Sequence, residues 1–323
     1  MLTPVATSIN ALPSMTDDPV LIERTFAVDA GGRCRLRVPR AHVTLDAAVP
    51  DGEAHVTLTP SEDAVPAAAQ AFADTLDVRH TDGVVRAETD GPPRPDARDW
   101  RALRDRPPLL NLHVRLPPRF EADVHASGGS IDARGLDGPV TLEAAGSSIR
   151  ATGLGGRLDV QAHRCRTTID DFTGTTCTAS VHGGRFTMRD AAAETVEVES
   201  RAARLRLDEI DAALHLTAHQ GATDVTGLRG PLDADVYGGQ CQITPSSGHA
   251  VRLHAPGSDA RLRLPGALAA DLQLSADRLD WNAPNGFDGE REPRRIEGRL
   301  DGSGDGATIE AHVPGGALRC ESA

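Results

Sequence analysis

The chain has 323 residues, a hydrophobic fraction of 39%, only 3% aromatic residues and a net charge of -13, and all 34 of its basic residues are Arg. That acidic balance excludes a non-specific nucleic-acid surface, which needs basic patches for phosphates, and no run approaches the ~20 apolar residues of a membrane span. The five cysteines, Cys34, Cys165, Cys177, Cys241 and Cys320, lack CxxC or CxxH spacing, so neither a disulfide framework, a zinc motif nor any cofactor is expected.

In chain order, residues 1–19 are expected to form a disordered or extended tail. They have no basic start and no apolar run of signal-peptide length, which predicts a soluble, reducing, cytoplasmic location. Residues 20–118 are expected to make a β-rich capping segment. Its strand-like runs are Arg24–Ala30, Arg33–Val38 and His55–Leu58, broken by Gly31-Gly32 and Pro50-Asp51-Gly52. Ala64 to Leu76 is Ala-rich and preceded by the start signal Ser61, which predicts one short helix. Gly91 to Pro108, rich in Pro and Arg, reads as a connecting loop.

Residues 119–265 carry a repeat. The turns beginning at Gly135, Gly153 and Asp171 are 18 residues apart, and the beat continues at Asp190, Glu209, Gly227 and Pro245 with steps of 19, 19, 18 and 18. So short a repeat cannot bury an apolar face alone, and its copies must stack. One residue per copy marks a corner between two alternating runs: Ala145, His163, His182, Arg201, His219 and Tyr237. Five residues before each corner come Val140, Leu158, Cys177, Val196, Leu214 and Leu232. Four after it come Ile149, Thr167, Phe186, Leu205, Thr223 and Cys241. Eighteen residues is also five helical turns, but the apolar spacing within each copy is two, the period of a strand. The expected fold is therefore all-β: a parallel β-solenoid, or β-helix, with two main strands per 18–19-residue rung, capped by irregular β-rich terminal segments and one short helix.

The outward columns differ in charge. Glu143, Asp159, Glu197, Glu199, Asp233 and Asp235 make the first-strand face acidic, whereas Arg150, Arg166, Arg185, Arg189, Arg204 and Arg206 make the second Arg-rich. Asp170, Arg189 and Asp208 share one column and predict an ion-pair ladder. Each exposed pair contributes only ~0.2–1 kcal/mol, so the ladder tunes register more than stability. Residues 266–323 are expected to hold final rungs and a cap. Ala269–Leu279 alternates, Phe287 to Arg295 reads as a loop, and Ala307–Val313 and Ala317–Cys320 read as strands.

The stretch Asn111-Leu112-His113-Val114-Arg115-Leu116-Pro117 leads into Ala126-Ser127-Gly128-Gly129-Ser130-Ile131-Asp132-Ala133 and then the Gly-Leu-x-Gly turns. Paired strands around Gly304-Asp305-Gly306 and Gly315-Gly316 close the chain. Over about residues 22–321 this resembles the bacterial putative-adhesin family of β-strand repeat proteins, a β-helix domain of unknown function. The resemblance implies an adhesin-like binding role, carries over no catalytic residues, and implies a cell-envelope location for many members.

The candidate binding residues are the corner column His163, His182, Arg201, His219 and Tyr237. His163 and His182 should lie ~5 Å apart at the backbone, but Arg201 places a fixed positive charge in the column and disfavours a metal cation. Contact with an anion or acidic glycan is the alternative to a plain solvated corner. Cys165 would be reactive only if Arg164 and Arg166 lowered its pKa. Asp301-Gly302-Ser303-Gly304-Asp305-Gly306 imitates the start of a calcium loop, yet position twelve is His312 where a bidentate Glu is needed, so a tight turn is expected. The pairs Glu197/Glu199 and Asp233/Asp235 could in principle serve acid–base chemistry, but any acidic sheet offers such pairs, and Trp100 and Trp281 fall in or near connections.

The leading expectation is a non-enzymatic binding or adhesin-like scaffold that presents charged faces to an unidentified protein or glycan partner, with no nucleic acid. A self-associating structural protein and a glycan-active enzyme are the alternatives.

Overall fold

The computed structural model describes residues 19–49, 52–62, 64–89, 109–246, 248–282, 286–303 and 306–323. Of the expected tail only Pro19 is described, and the loop expected from Gly91 to Pro108, with Trp100, lies outside the described residues. Among the described residues the protein is all-β, with one helix and one large mixed sheet. No helix there is long and apolar enough to cross a membrane.

Across the central region the ladders that flank Gly155–Leu228 are parallel and in step with the sequence beat. Val140 lies beside Ala122 on one side and Leu158 on the other, and Ile149 lies between Ile131 and Thr167. Farther along, Leu214, Leu232, Val251 and Ile309 follow one another in register. Leu158, Cys177 and Val196 are all fully buried, at 0% exposure. They belong to one buried core, in which alternate side chains are removed from water.

From Gly155 to Leu228 the chain is extended and ladder-paired over 74 residues without a break. It can keep to one interior only by turning, and left-handed residues recur twice per repeat. One set follows the corner directly: Gly146 (φ 62), Arg164 (56), Gly183 (71), Ala202 (52), Gln220 (59) and Gly238 (68). The other is Gly135 (67), Gly153 (60), Asp171 (55), Asp190 (51), Glu209 (51) and Gly227 (61). This second set is the beat read in the sequence, apart from Pro245. Glycine reaches such φ without a Cβ clash; the side-chain-bearing residues there bear roughly 1–2 kcal/mol each, supported by the surrounding ladders.

The two ends are wound out of sequence order. Arg33–Pro39 and Ala41–Asp46 pair in parallel with Glu121–Ser127 and Ser130–Arg134, and on their other side with Val84–Thr89 and Leu110–Arg115. Antiparallel strands Ile22–Ala27, Glu53–Pro60 and Leu76–Thr81 complete that end. At the far end the last strand, Gly306–Ser322, lies between the pair Val251–His254 and Ser258–Leu264 and the preceding strand Ala269–Asn282.

Two expectations are corrected. The segment Phe287 to Arg295 is no loop: Phe287–Glu292 and Arg295–Leu300 form an antiparallel hairpin laid against Ala269–Asn282. Nearly all of Phe287–Glu292 is exposed, so burial imposed no alternation on its sequence. Trp281 sits within the strand Ala269–Asn282, packed 5.0 Å from Phe287 with the Arg291 guanidinium over both rings. The helix is Pro66–Ala73, shorter than read, with Pro66 in its first turn and Val65 as an N-cap that makes no side-chain bond. The Ser61 carbonyl instead accepts a bond from the Ala64 N–H in the preceding turn.

Candidate functional site

Each corner residue directly precedes a left-handed residue; Ala145 and Tyr237 end strands, the other four lie within Gly155–Leu228, and the neighbouring ladders hold the backbone. Register then places corner on corner: Ala145 pairs with His163 and His219 with Tyr237. The rings of His163 and His182 meet edge-on with centroids 4.9 Å apart. His219 and Tyr237 stack at 4.8 Å with planes 10° apart. Arg201 Nη2 lies 3.7 Å from Glu199 Oε1. Four of the five predicted residues thus meet as two ring couples, and Arg201 falls between the couples in the sequence.

The ladder continues beyond what the sequence indicated. Tyr237 meets His254 at 6.4 Å, and His254 stacks on His312 at 5.6 Å with planes 12° apart. His312 Nδ1 also lies 2.7 Å from Ser275 Oγ. His254 was missed because its register partner is Asp235, two residues short of the corner. His312 was missed because it arrives on the last strand, far from its neighbour in sequence.

Electrostatics separates the imidazoles. Burial, and then the adjacent His182, hold the His163 pKa below its ordinary value, which favours the neutral ring. His125, on the first-strand face, behaves oppositely. Its Nε2 lies 2.8 Å from Asp123 and its Nδ1 2.8 Å from Glu143, and these hydrogen bonds push its pKa up to about 9. With two carboxylates as partners it is an ion-paired clasp between adjacent strands rather than a proton shuttle.

The remaining candidates fare worse. All five cysteines are free and buried. Burial raises the Cys165 pKa, and its thiol donates to the Ala144 carbonyl at 3.3 Å, so Arg164 and Arg166 do not activate it. Among the described residues no group of His, Cys, Asp and Glu could hold a metal ion. Asp301 Oδ1 lies 3.7 Å from Arg299 Nε, while Gly304 and Asp305 of the calcium-like run lie outside the described residues. Glu197 and Asp233 are simply exposed on the acidic face. Of the expected ion-pair ladder, Arg189 meets Asp170 at 3.8 Å, whereas Asp208 turns to Arg206 at 3.6 Å and accepts a hydrogen bond from Thr226.

No protein-family model matches the chain, and no curated protein matches it. Among solved structures it is similar to a putative adhesin from Parabacteroides distasonis, at 10% identity over 94% of this chain and 98% of that one, with a TM-score of 0.46. A putative adhesin from Parabacteroides merdae gives 10% identity, coverage of 93% and 95%, and a TM-score of 0.43. For a putative adhesin from Bacteroides fragilis the values are 8%, 93% and 96%, and 0.37. The chain is thus similar, along nearly its whole length, to solved structures described as putative adhesins.

Proposed function

We propose that the chain is a parallel β-solenoid with two main strands per 18–19-residue rung, in which rungs at 119–265 lie between the terminal segments 20–118 and 266–323. On this reading it is a non-enzymatic, adhesin-like binding scaffold whose contact surface includes the edge bearing His163, His182, Arg201, His219 and Tyr237. The observation that carries this function is the ring ladder itself. Imidazole and phenol groups rest against one another on an outward edge, with Tyr237 39% exposed, while in-register parallel ladders fix the backbone beneath them. Polar rings held in place lose little side-chain entropy when a partner lands on them, which suits recognition.

The test is a glycan and protein array probed with the whole chain. A hit should be lost in His182→Ala and in Tyr237→Ala, with circular dichroism unchanged. A hit indifferent to both variants would contradict the assignment of this edge. Turnover of a polysaccharide panel, abolished by Glu197→Gln, would replace the scaffold by the enzyme. Self-association is the second reading, favoured by exposed Glu197 and Asp233 on one face and exposed Arg185 and Arg204 on another. It requires an oligomer that dissociates in salt, and a monomer by light scattering at low ionic strength would dispose of it.

A further inference from the structure

Directly past the corner the surface dips into a shallow, open cleft of about 590 Å³ whose charged lining is Arg164, Arg166, Arg185 and Arg204. The other lining residues are Cys165, three alanines and two glycines, and no carboxylate is among them. All four arginines are exposed, and none has an ion pair with a described residue. In a chain with 47 acidic and 34 basic residues, this is a local reversal of sign.

The sequence builds the cleft in two ways. Arg166, Arg185 and Arg204 recur at steps of 19, at the same point of three successive repeats. Gly184 brings the first two of those repeats together and Gly221 the third and the one after it: an added Cβ would lie 2.1 Å from the Cys165 carbonyl oxygen at the first glycine, and 2.1 Å from the Ala203 carbonyl oxygen at the second. Small residues therefore make the floor, and guanidiniums stand around it. Like charges on adjacent strands repel, and no ion pair with a described residue offsets them here.

We propose that this cleft is an anion-binding site for a linear acidic polysaccharide, whose carboxylates or sulfate esters recur along the chain. Three repeats span roughly 10 Å at the ~4.8 Å strand spacing, longer than a single carboxylate or sulfate can occupy. Guanidinium groups grip such anions bidentately. A sugar chain offers one charge per stiff unit, comparable in length to one repeat. An extended acidic peptide spaces same-side carboxylates about 6.8 Å apart, out of step with the ladder. A single-stranded nucleic acid would require aromatic platforms, and none lines the cleft. A larger depression of about 1190 Å³ beside it shares Arg185 and Arg204 but also holds Asp224, Asp259 and Asp280, and its other arginines are ion-paired, so the unpaired positive charge is confined to the first.

The site deepens the scaffold reading and rests on it, but does not depend on the ring ladder. Calorimetry on the full chain at about 0.15 M salt, where the Debye length is about 8 Å, would use polygalacturonate, dextran sulfate, neutral dextran, polyglutamate and a single-stranded oligonucleotide. Binding is expected to one or both acidic polysaccharides and not to neutral dextran, and the two acidic arms separate carboxylate from sulfate. The exposed double variant Arg185→Glu/Arg204→Glu should weaken binding by about tenfold or more, since each lost charge-assisted pair is strong. The control Arg119→Glu/Arg157→Glu, at two exposed arginines that do not line the cleft, changes net charge equally and should leave affinity within about twofold, the limit expected of screened distant charges. Equal weakening by both doubles, equal binding of polyglutamate or the oligonucleotide, or no binding to either acidic polysaccharide would overturn the proposal. An array partner lost in His182→Ala but retained in Arg185→Glu/Arg204→Glu would leave the scaffold reading standing and remove this site alone.

Discussion

The central repeats and the two ends use the same strands differently. In the middle a strand's partner lies 18 or 19 residues away, as with Val140 and Leu158 or Leu214 and Leu232. At the ends the partner lies far off and out of order: Arg33–Pro39 is seated beside Glu121–Ser127, and Gly306–Ser322 is inserted ahead of Ala269–Asn282. Local pairing costs little loop-closure entropy and leaves a period in the sequence; distant pairing costs more and leaves none. The difference also protects the molecule, because antiparallel strands cover the parallel ladders at the first end and the Ala270–Ser275 part of the ladder at the far end.

The largest effect should come from breaking the inserted last strand. Ile309, fully buried, lies in register between Val251 and Leu272. Ile309→Ala should cost about 2–5 kcal/mol in urea unfolding. If the ends open independently of the middle, an early transition will split from the main one; if the cost is under 1 kcal/mol, the insertion contributes little.

Next comes a test of close stacking in the middle. Gly184 has φ 87, and an added Cβ would lie 2.1 Å from the Cys165 carbonyl oxygen. Gly184→Ala should destabilise by roughly 3 kcal/mol. At Gly153 (φ 60) an added Cβ meets nothing within 4 Å, so Gly153→Ala should cost only about 1 kcal/mol. Equal losses would mean that backbone conformation, not the approach of repeats, sets both positions.

The clasp at His125 predicts a pH effect at the junction of end and middle. Its folded pKa is raised from 6.5 to about 9. Its contribution is therefore complete below pH 6.5 and lost as pH rises through 9. The urea midpoint should fall over that interval, and His125→Gln should remove that part of the fall.

The smallest change is a gain. Ala202 holds φ 52 with a side chain where other repeats use Gly146, Gly183 or Gly238. Ala202→Gly should raise stability by about 0.5–1 kcal/mol, since the relief of left-handed strain exceeds the added chain entropy. A loss would show that the neighbouring repeats already absorb the strain.

What could be read in the sequence follows the same division. The beat at Gly135, Gly153, Asp171, Asp190, Glu209 and Gly227 was visible because turning residues are chemically distinct. The contacts His163–His182 and His219–Tyr237 were visible because one step of the beat joins them. Ala41–Asp46, Leu76–Thr81 and Val84–Thr89 were not identified, since their partners are set by long-range winding. Phe287–Glu292 escaped because an exposed edge needs no apolar alternation. The arginine cleft was half legible: its columns were read, but the depression depends on Gly184 and Gly221, whose role appears only when repeats stack.

Cross-linking tests the stacking most directly. His163 and His182 touch through rings 4.9 Å apart, whereas positions two repeats apart are separated by roughly 10 Å, beyond the ~7 Å Cα limit of a disulfide. After mild oxidation, the double variant His163→Cys/His182→Cys should form an intramolecular disulfide, seen by mass after thiol alkylation, while His163→Cys/Arg201→Cys stays reduced. A bridge in the second variant but not the first would contradict the account.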